Sequence, residues 1–121
     1  MQLFPRLALI LNILVLVPVC AGLLTDAAWT LRGYGAESDA RNILLAIYLA
    51  ILAASVALLL RPDRRAIFTL LALQVFYKLL TPLTTGALTN PVVLSNVAIA
   101  LFHLAALVTL RRSPGAAAPA A

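Results

Sequence analysis

The sequence predicts an all-α fold, a four-transmembrane-helix bundle with both termini cytoplasmic. Three observations predict it. Four apolar runs, at about residues 7–24, 43–60, 66–81 and 92–110, are separated by more polar segments. The 121-residue chain is 64% hydrophobic and only 11% charged, with a mean hydropathy of +1.06. A soluble domain carries about 25% charged residues, and a soluble core of this size could not hide so much apolar side chain, so the bilayer must be the solvent. Finally, the nine Lys and Arg residues lie mostly at the ends of the apolar runs, where topology determinants sit. Residues 1–112 are read as one four-helix transmembrane domain and 113–121, SPGAAAPAA, as a disordered low-complexity tail.

The first run follows a weakly basic head, MQLFPR, and continues LALILNILVLVPVCAGLL. Val19-Cys20-Ala21 is a tolerable signal-peptidase site, but the expectation is a retained first span. It is a poor lipoprotein box, because Val19 is too large for the position before the cysteine. Pro18 should kink this span by freeing a carbonyl one turn earlier. Cys20 is the only cysteine, so neither an internal disulfide nor a CxxC pair can form.

Residues 25–42, TDAAWTLRGYGAESDARN, are the one long polar stretch and hold three of the four acids, Asp26, Glu37 and Asp39. Trp29 and Tyr34 suit a membrane–water interface, and a short interfacial helix is expected at 27–31. Ser38 and Asp39 are suited to start the second long helix.

In that second run Ala46, Ala50, Ala53 and Ala57 share a face, the small-residue spacing that lets membrane helices approach closely. Tyr48 and Ser55 lie on roughly the opposite face, so neighbours are expected on both sides. Pro62 ends this run and Asp63 caps the next. The third run is short, about 16 residues or ~24 Å, with an irregular continuation expected over 82–86. In it Gln74, Tyr77, Lys78 and Thr81 recur at i, i+3, i+4 and i+7, one helical face. After a Thr-rich turn, Asn90-Pro91 is a strong helix start. Asn96 and His103 then share a face, and Arg111 and Arg112 close the span.

Four spans put Arg6, Arg61, Arg64, Arg65, Arg111 and Arg112 on one side and Arg32 and Arg41, diluted by three acids, on the other. The positive-inside rule makes the arginine-rich side cytoplasmic. Counted from that side, Asn12, Gln74 and His103 lie ~9–13 Å deep, and Tyr48, Lys78 and Asn96 ~18–22 Å deep. Lipid tolerates neither layer, so both should face inward and pair.

The candidate ligand-binding residues are therefore Lys78, His103, Gln74, Tyr77, Asn96 and Tyr48. A membrane-embedded lysine serves as counter-ion, anion site or relay. The ordinary alternative is that Lys78 snorkels to the outer interface and pairs with Asp26, Glu37 or Asp39. His103 suits a proton relay or a quinone hydrogen bond, the alternative being a structural bond to Gln74 or Asn12. One histidine cannot form a bis-histidine haem site, and no metal, cofactor or catalytic residue is predicted. With no acid inside a span, a carboxylate-driven antiporter is disfavoured. Nor is there a phosphate-cradling glycine loop, an HExxH or a nucleophile–base constellation. The net charge of +5 is spent on topology rather than on nucleic acid, since no basic stripe is interleaved with aromatics.

In size and four-span layout the chain resembles small bacterial four-helix membrane families such as the DoxX-like proteins. The resemblance is architectural, and no family motif falls on a numbered residue. Three function classes follow. The first is an accessory or assembly subunit of a membrane complex, or a homo-oligomer, in a bacterial inner membrane, with the lipid bilayer and a membrane-protein partner or a second copy as its contacts. The second is a transporter or binding protein for a small anionic or amphiphilic molecule held in a polar cavity within the bundle. The third is a quinone- or lipid-linked membrane enzyme using His103.

Overall fold

The computed structural model describes residues 2–112. The expected tail at 113–121 lies outside them. The described chain forms α1 (Leu3–Leu24), α2 (Thr30–Tyr34), α3 (Asp39–Leu60), α4 (Arg64–Thr85) and α5 (Pro91–Arg112). The four long helices have 22 residues each and are apolar enough to cross a membrane. At 1.5 Å per residue each is ~33 Å long, matching a hydrocarbon core of about 30 Å. Leu14, Leu60, Phe76 and Leu101 are more than half exposed, which suits a surface facing lipid.

Local chemistry sets the helix ends. Ser38 accepts the Arg41 N–H at 3.1 Å and Asp63 accepts the Ala66 N–H at 2.9 Å, so both predicted caps form. Asn90 accepts the Val92 N–H at 2.8 Å and Pro91 opens α5, as expected. At the end of α1, Asp26 takes a left-handed conformation with φ 51°. The Ala27 N–H then reaches back to the Gly22 carbonyl at 2.9 Å, closing the helix in a Schellman turn. That turn occupies the start of the expected interfacial helix, and α2 forms instead at Thr30–Tyr34.

The third long helix corrects its predicted length. It continues as regular helix through Pro82 to Thr85, where only an irregular continuation was expected. A mid-helix proline leaves the carbonyl four residues back without its N–H partner. Here that carbonyl belongs to Lys78, and the Thr81 hydroxyl donates to it at 2.7 Å. The helix therefore survives its proline and ends only at Gly86, φ 66°, whose N–H bonds Pro82 O. Pro18 is likewise carried inside a continuous α1.

The helices pack in the order α3–α1–α5–α4. Although joined by the turn at 61–63, α3 and α4 barely touch. At the end of the bundle where the described termini lie, Ala8, Leu9, Ile67, Leu71, Ala106 and Leu110 form a closed apolar cluster. Toward the other end, Leu16, Cys20, Leu45 and Ile51 pack between α1 and α3. Tyr48 and Ser55 face inward, whereas Ala46, Ala50, Ala53 and Ala57 are exposed. The expectation of neighbours on both faces of this helix fails among the described residues, because its polar face takes the one interior position available.

Candidate functional site

The layer of Asn12, Gln74 and His103 pairs differently from the sequence-based expectation. Asn12 Nδ2 donates to Ser55 Oγ at 3.0 Å, and Ser55 Oγ donates to the Ile51 carbonyl at 2.8 Å. This spends Asn12 on α3, away from the α4–α5 side. Gln74 and His103 are 1% and 0% exposed, yet Gln74 Nε2 and both His103 ring nitrogens have no hydrogen-bond partner among the described residues. The backbone of Ala8 lies beside the His103 ring without hydrogen-bond geometry. The ordinary alternative for His103, a bond to Gln74 or Asn12, is not formed.

The second layer is continuous. Lys78, 5% exposed, donates from Nζ to Asn96 Oδ1 at 3.4 Å, and Asn96 Nδ2 donates to Thr81 Oγ1 at 3.4 Å. The ammonium also lies 5.0 Å from the Tyr77 ring centroid. The snorkelling alternative for Lys78 finds none of its expected partners. With α4 running on to Thr85, Lys78 sits about 10 Å short of the helix end. The acids it was expected to meet are elsewhere: Asp26 is bound by Arg41 at 2.7 Å, and Glu37 and Asp39 are exposed.

Lys78 and Asn96 line a cavity of about 330 Å³ between α1, α5 and α2. Val15, Val19 and Ile99 give it an apolar wall, Tyr34 and Tyr48 an aromatic one, and the exposed Arg32 a second cation. Among the described residues no carboxylate lines it. The tyrosine rings meet edge to face at 6.0 Å, and burial raises the Tyr34 phenol pKa well above its usual range, so it stays protonated. Of the six predicted residues, Lys78, Asn96 and Tyr48 line the cavity, whereas Gln74, Tyr77 and His103 do not.

Sequence reasoning missed the contribution of α2, reading Trp29 and Tyr34 as interface anchors. In the structure Trp29, Arg32, Gly33 and Tyr34 all line the cavity. The Trp29 ring rests on Gly22, and Gly33 abuts Val92 so closely that a Cβ at either glycine would collide. Asn90 Nδ2 donates to the Gly33 carbonyl at 3.1 Å, tying α2 to the start of α5. Arg41, expected only as a topology charge, is 4% exposed. It donates to Asp26 Oδ1, to the Gly35 carbonyl at 2.9 Å and to Thr30 Oγ1 at 3.4 Å. The one available sign was composition: a buried arginine needs acceptors, and the preceding loop supplies them.

Chemically, the arrangement offers two cations, Lys78 and Arg32, and no carboxylate among the described residues. The Lys78 ammonium, with three donors, has one long contact to a neutral acceptor and no counter-charge among the described residues, in a setting where an uncompensated charge is strongly unfavourable. No three His, Cys, Asp or Glu side chains gather among the described residues as a metal centre would need. The chain matches no protein-family model, no curated protein and no solved structure.

Proposed function

We propose that this small multi-pass membrane protein binds an anionic amphiphile, a molecule with one carboxylate- or phosphate-type head on an apolar tail, in the cavity beneath α2. The observation that carries the reading is Lys78, buried at the cavity wall with no acidic partner among the described residues. The head sits on Lys78 and Asn96, with Arg32 at the outer side. The tail runs along Val15, Val19 and Ile99 between α1 and α5. The apolar cluster around Leu71 and Leu110 closes the far end of the bundle, which favours a dead-ended cup over a through-pore. With the arginine-rich end cytoplasmic by the positive-inside rule, the cup opens toward the outer side of an inner membrane.

A second reading has its own support. The exposed alanine face of α3 suits close packing against another transmembrane helix, as an accessory subunit or a homo-oligomer would require. Native mass spectrometry of the gently extracted protein separates the two. Retention of an anionic amphiphile that is lost in Lys78→Met supports the cavity reading. A stoichiometric protein partner, with no retained small molecule, supports the subunit reading and overturns the first.

A further inference from the structure

The two ends of the bundle differ in more than charge. At the end opposite α2, the first turns of α4 and the last turn of α5 enclose a second cavity of about 440 Å³. Its walls are Arg64, Arg65, Phe68, Thr69, Leu110 and Arg111. Three guanidinium side chains from two helices, far apart in sequence, thus converge on one furrow, and no acid among the described residues lines it. Asp63, next in the chain, is engaged in capping α4. The Thr69 hydroxyl donates to the Arg65 carbonyl at 3.0 Å, so its proton is spent within the helix. Phe68, 39% exposed, and the buried Leu110 supply an apolar strip running inward from the charges.

We infer that this furrow is a binding site for an anionic glycerophospholipid of the surrounding leaflet. Charge complementarity names the head: guanidinium forks match phosphate oxygens bidentately, which an ammonium does not. Position names the source. The furrow lies where α4 begins and α5 ends, the level of lipid headgroups for helices of this length, and basic pockets between helix ends are a known form of headgroup site. The phosphate sits among Arg64, Arg65 and Arg111, and one acyl chain lies against Phe68 and Leu110. Topology alone would need only positive charge at this end. Arg6 and Arg61 supply such charge and lie outside the furrow, and they provide the control.

The test titrates the full-length protein in detergent with phosphatidylglycerol or phosphatidylcholine and reads bound lipid by native mass spectrometry. Wild type should hold phosphatidylglycerol at least tenfold more tightly than phosphatidylcholine. Arg65→Gln/Arg111→Gln should erase that preference, while Arg6→Gln/Arg61→Gln, with the same change of charge, should alter it less than twofold. Equal loss in both double variants would show diffuse charge attraction and overturn the site. So would a wild type without lipid preference. Soluble glycerol phosphate at millimolar concentration should not compete; competition equal to that of the lipid would make this an aqueous anion site instead. If the Gln pair fails to fold, Arg65→Lys/Arg111→Lys keeps the charge and removes the forks, and should still weaken binding several-fold; unchanged binding there overturns the bidentate site. Lipid held in the α2 cavity is insensitive to these arginines, so the outcome is independent of the function proposed above.

Discussion

Replacing Arg41 by Met tests whether α2 is a held cover or an independent element. A five-residue helix has no stability of its own, because nucleation alone outweighs its few hydrogen bonds. Its order must come from tertiary ties, and Arg41 provides three of them, to Asp26, Thr30 and Gly35. Charge-assisted bonds contribute about 1.5–3 kcal/mol each when buried, but two discounts apply here. Asp26 is 55% exposed, so its pairing is screened and contributes about 0–1 kcal/mol. The Thr30 contact is long. What remains is chiefly the bond to the Gly35 carbonyl, and the sum is about 2 kcal/mol of local order. Methionine keeps the packing of the stem. The effect should therefore appear as local opening: amide exchange across Thr30–Tyr34 should accelerate roughly 30-fold, at about 1.4 kcal/mol per decade. Exchange in the middle of α3 should stay unchanged. Protection of α2 within threefold of wild type would refute the clamp. Acceleration spread evenly over all helices would show Arg41 to be a global stabiliser.

The other perturbations act on the second polar layer. Thr81→Val is nearly isosteric, but it strips the Lys78 carbonyl and the Asn96 amide of their shared hydroxyl. It should lower unfolding free energy by about 1–3 kcal/mol, read by denaturant titration in detergent, and a neutral result would mean that Pro82 needs no compensation. Lys78→Met should weaken retention of an anionic amphiphile by roughly 10- to 150-fold, the loss of one charge-assisted bond of about 1.5–3 kcal/mol, while leaving the helical circular dichroism intact.

Much of this architecture was written in local patterns. The four spans follow from composition, and the i, i+3, i+4, i+7 stripe of α4 correctly turned Gln74 and Lys78 inward, since a 3.6-residue period needs no knowledge of partners. Lys78 and Asn96, expected at one level, do pair, but the partner of Asn12 was not legible. Depth says which groups are level, while lateral order decides who meets whom. Once α1 packs beside α3, Asn12 meets Ser55, far along the chain. The length of α4 was hidden for a related reason, because a proline reads as a stop unless one knows that the threonine before it can serve the freed carbonyl. The role of α2 was hidden most deeply. Its tie to Asn90 joins residues 57 apart, and Trp29 and Tyr34 already had a sufficient explanation as interface anchors. Arg41 illustrates the same limit, for a charge at a helix start looks alike whether it meets water or is enclosed by a loop.

His103 is where the structure makes the sharpest demand. Its side chain is fully buried, with neither ring nitrogen bonded to any described residue. An enclosed polar group without a partner costs about 1–3 kcal/mol by mutational measure. If the site is as dry in the bilayer as its packing indicates, removing the ring polarity while keeping the volume removes that cost. His103→Leu should then leave unfolding free energy unchanged or raise it by up to about 3 kcal/mol. A fall of more than about 1 kcal/mol would refute this, showing that the ring makes a hydrogen bond in the membrane. The stabilising outcome has the larger consequence. A polar group retained at a position where leucine is better is a group maintained against stability, as strained or unpaired groups at working sites are. His103 lies one layer beneath Lys78, so that result would extend the polar interior of the cup inward from the cavity wall.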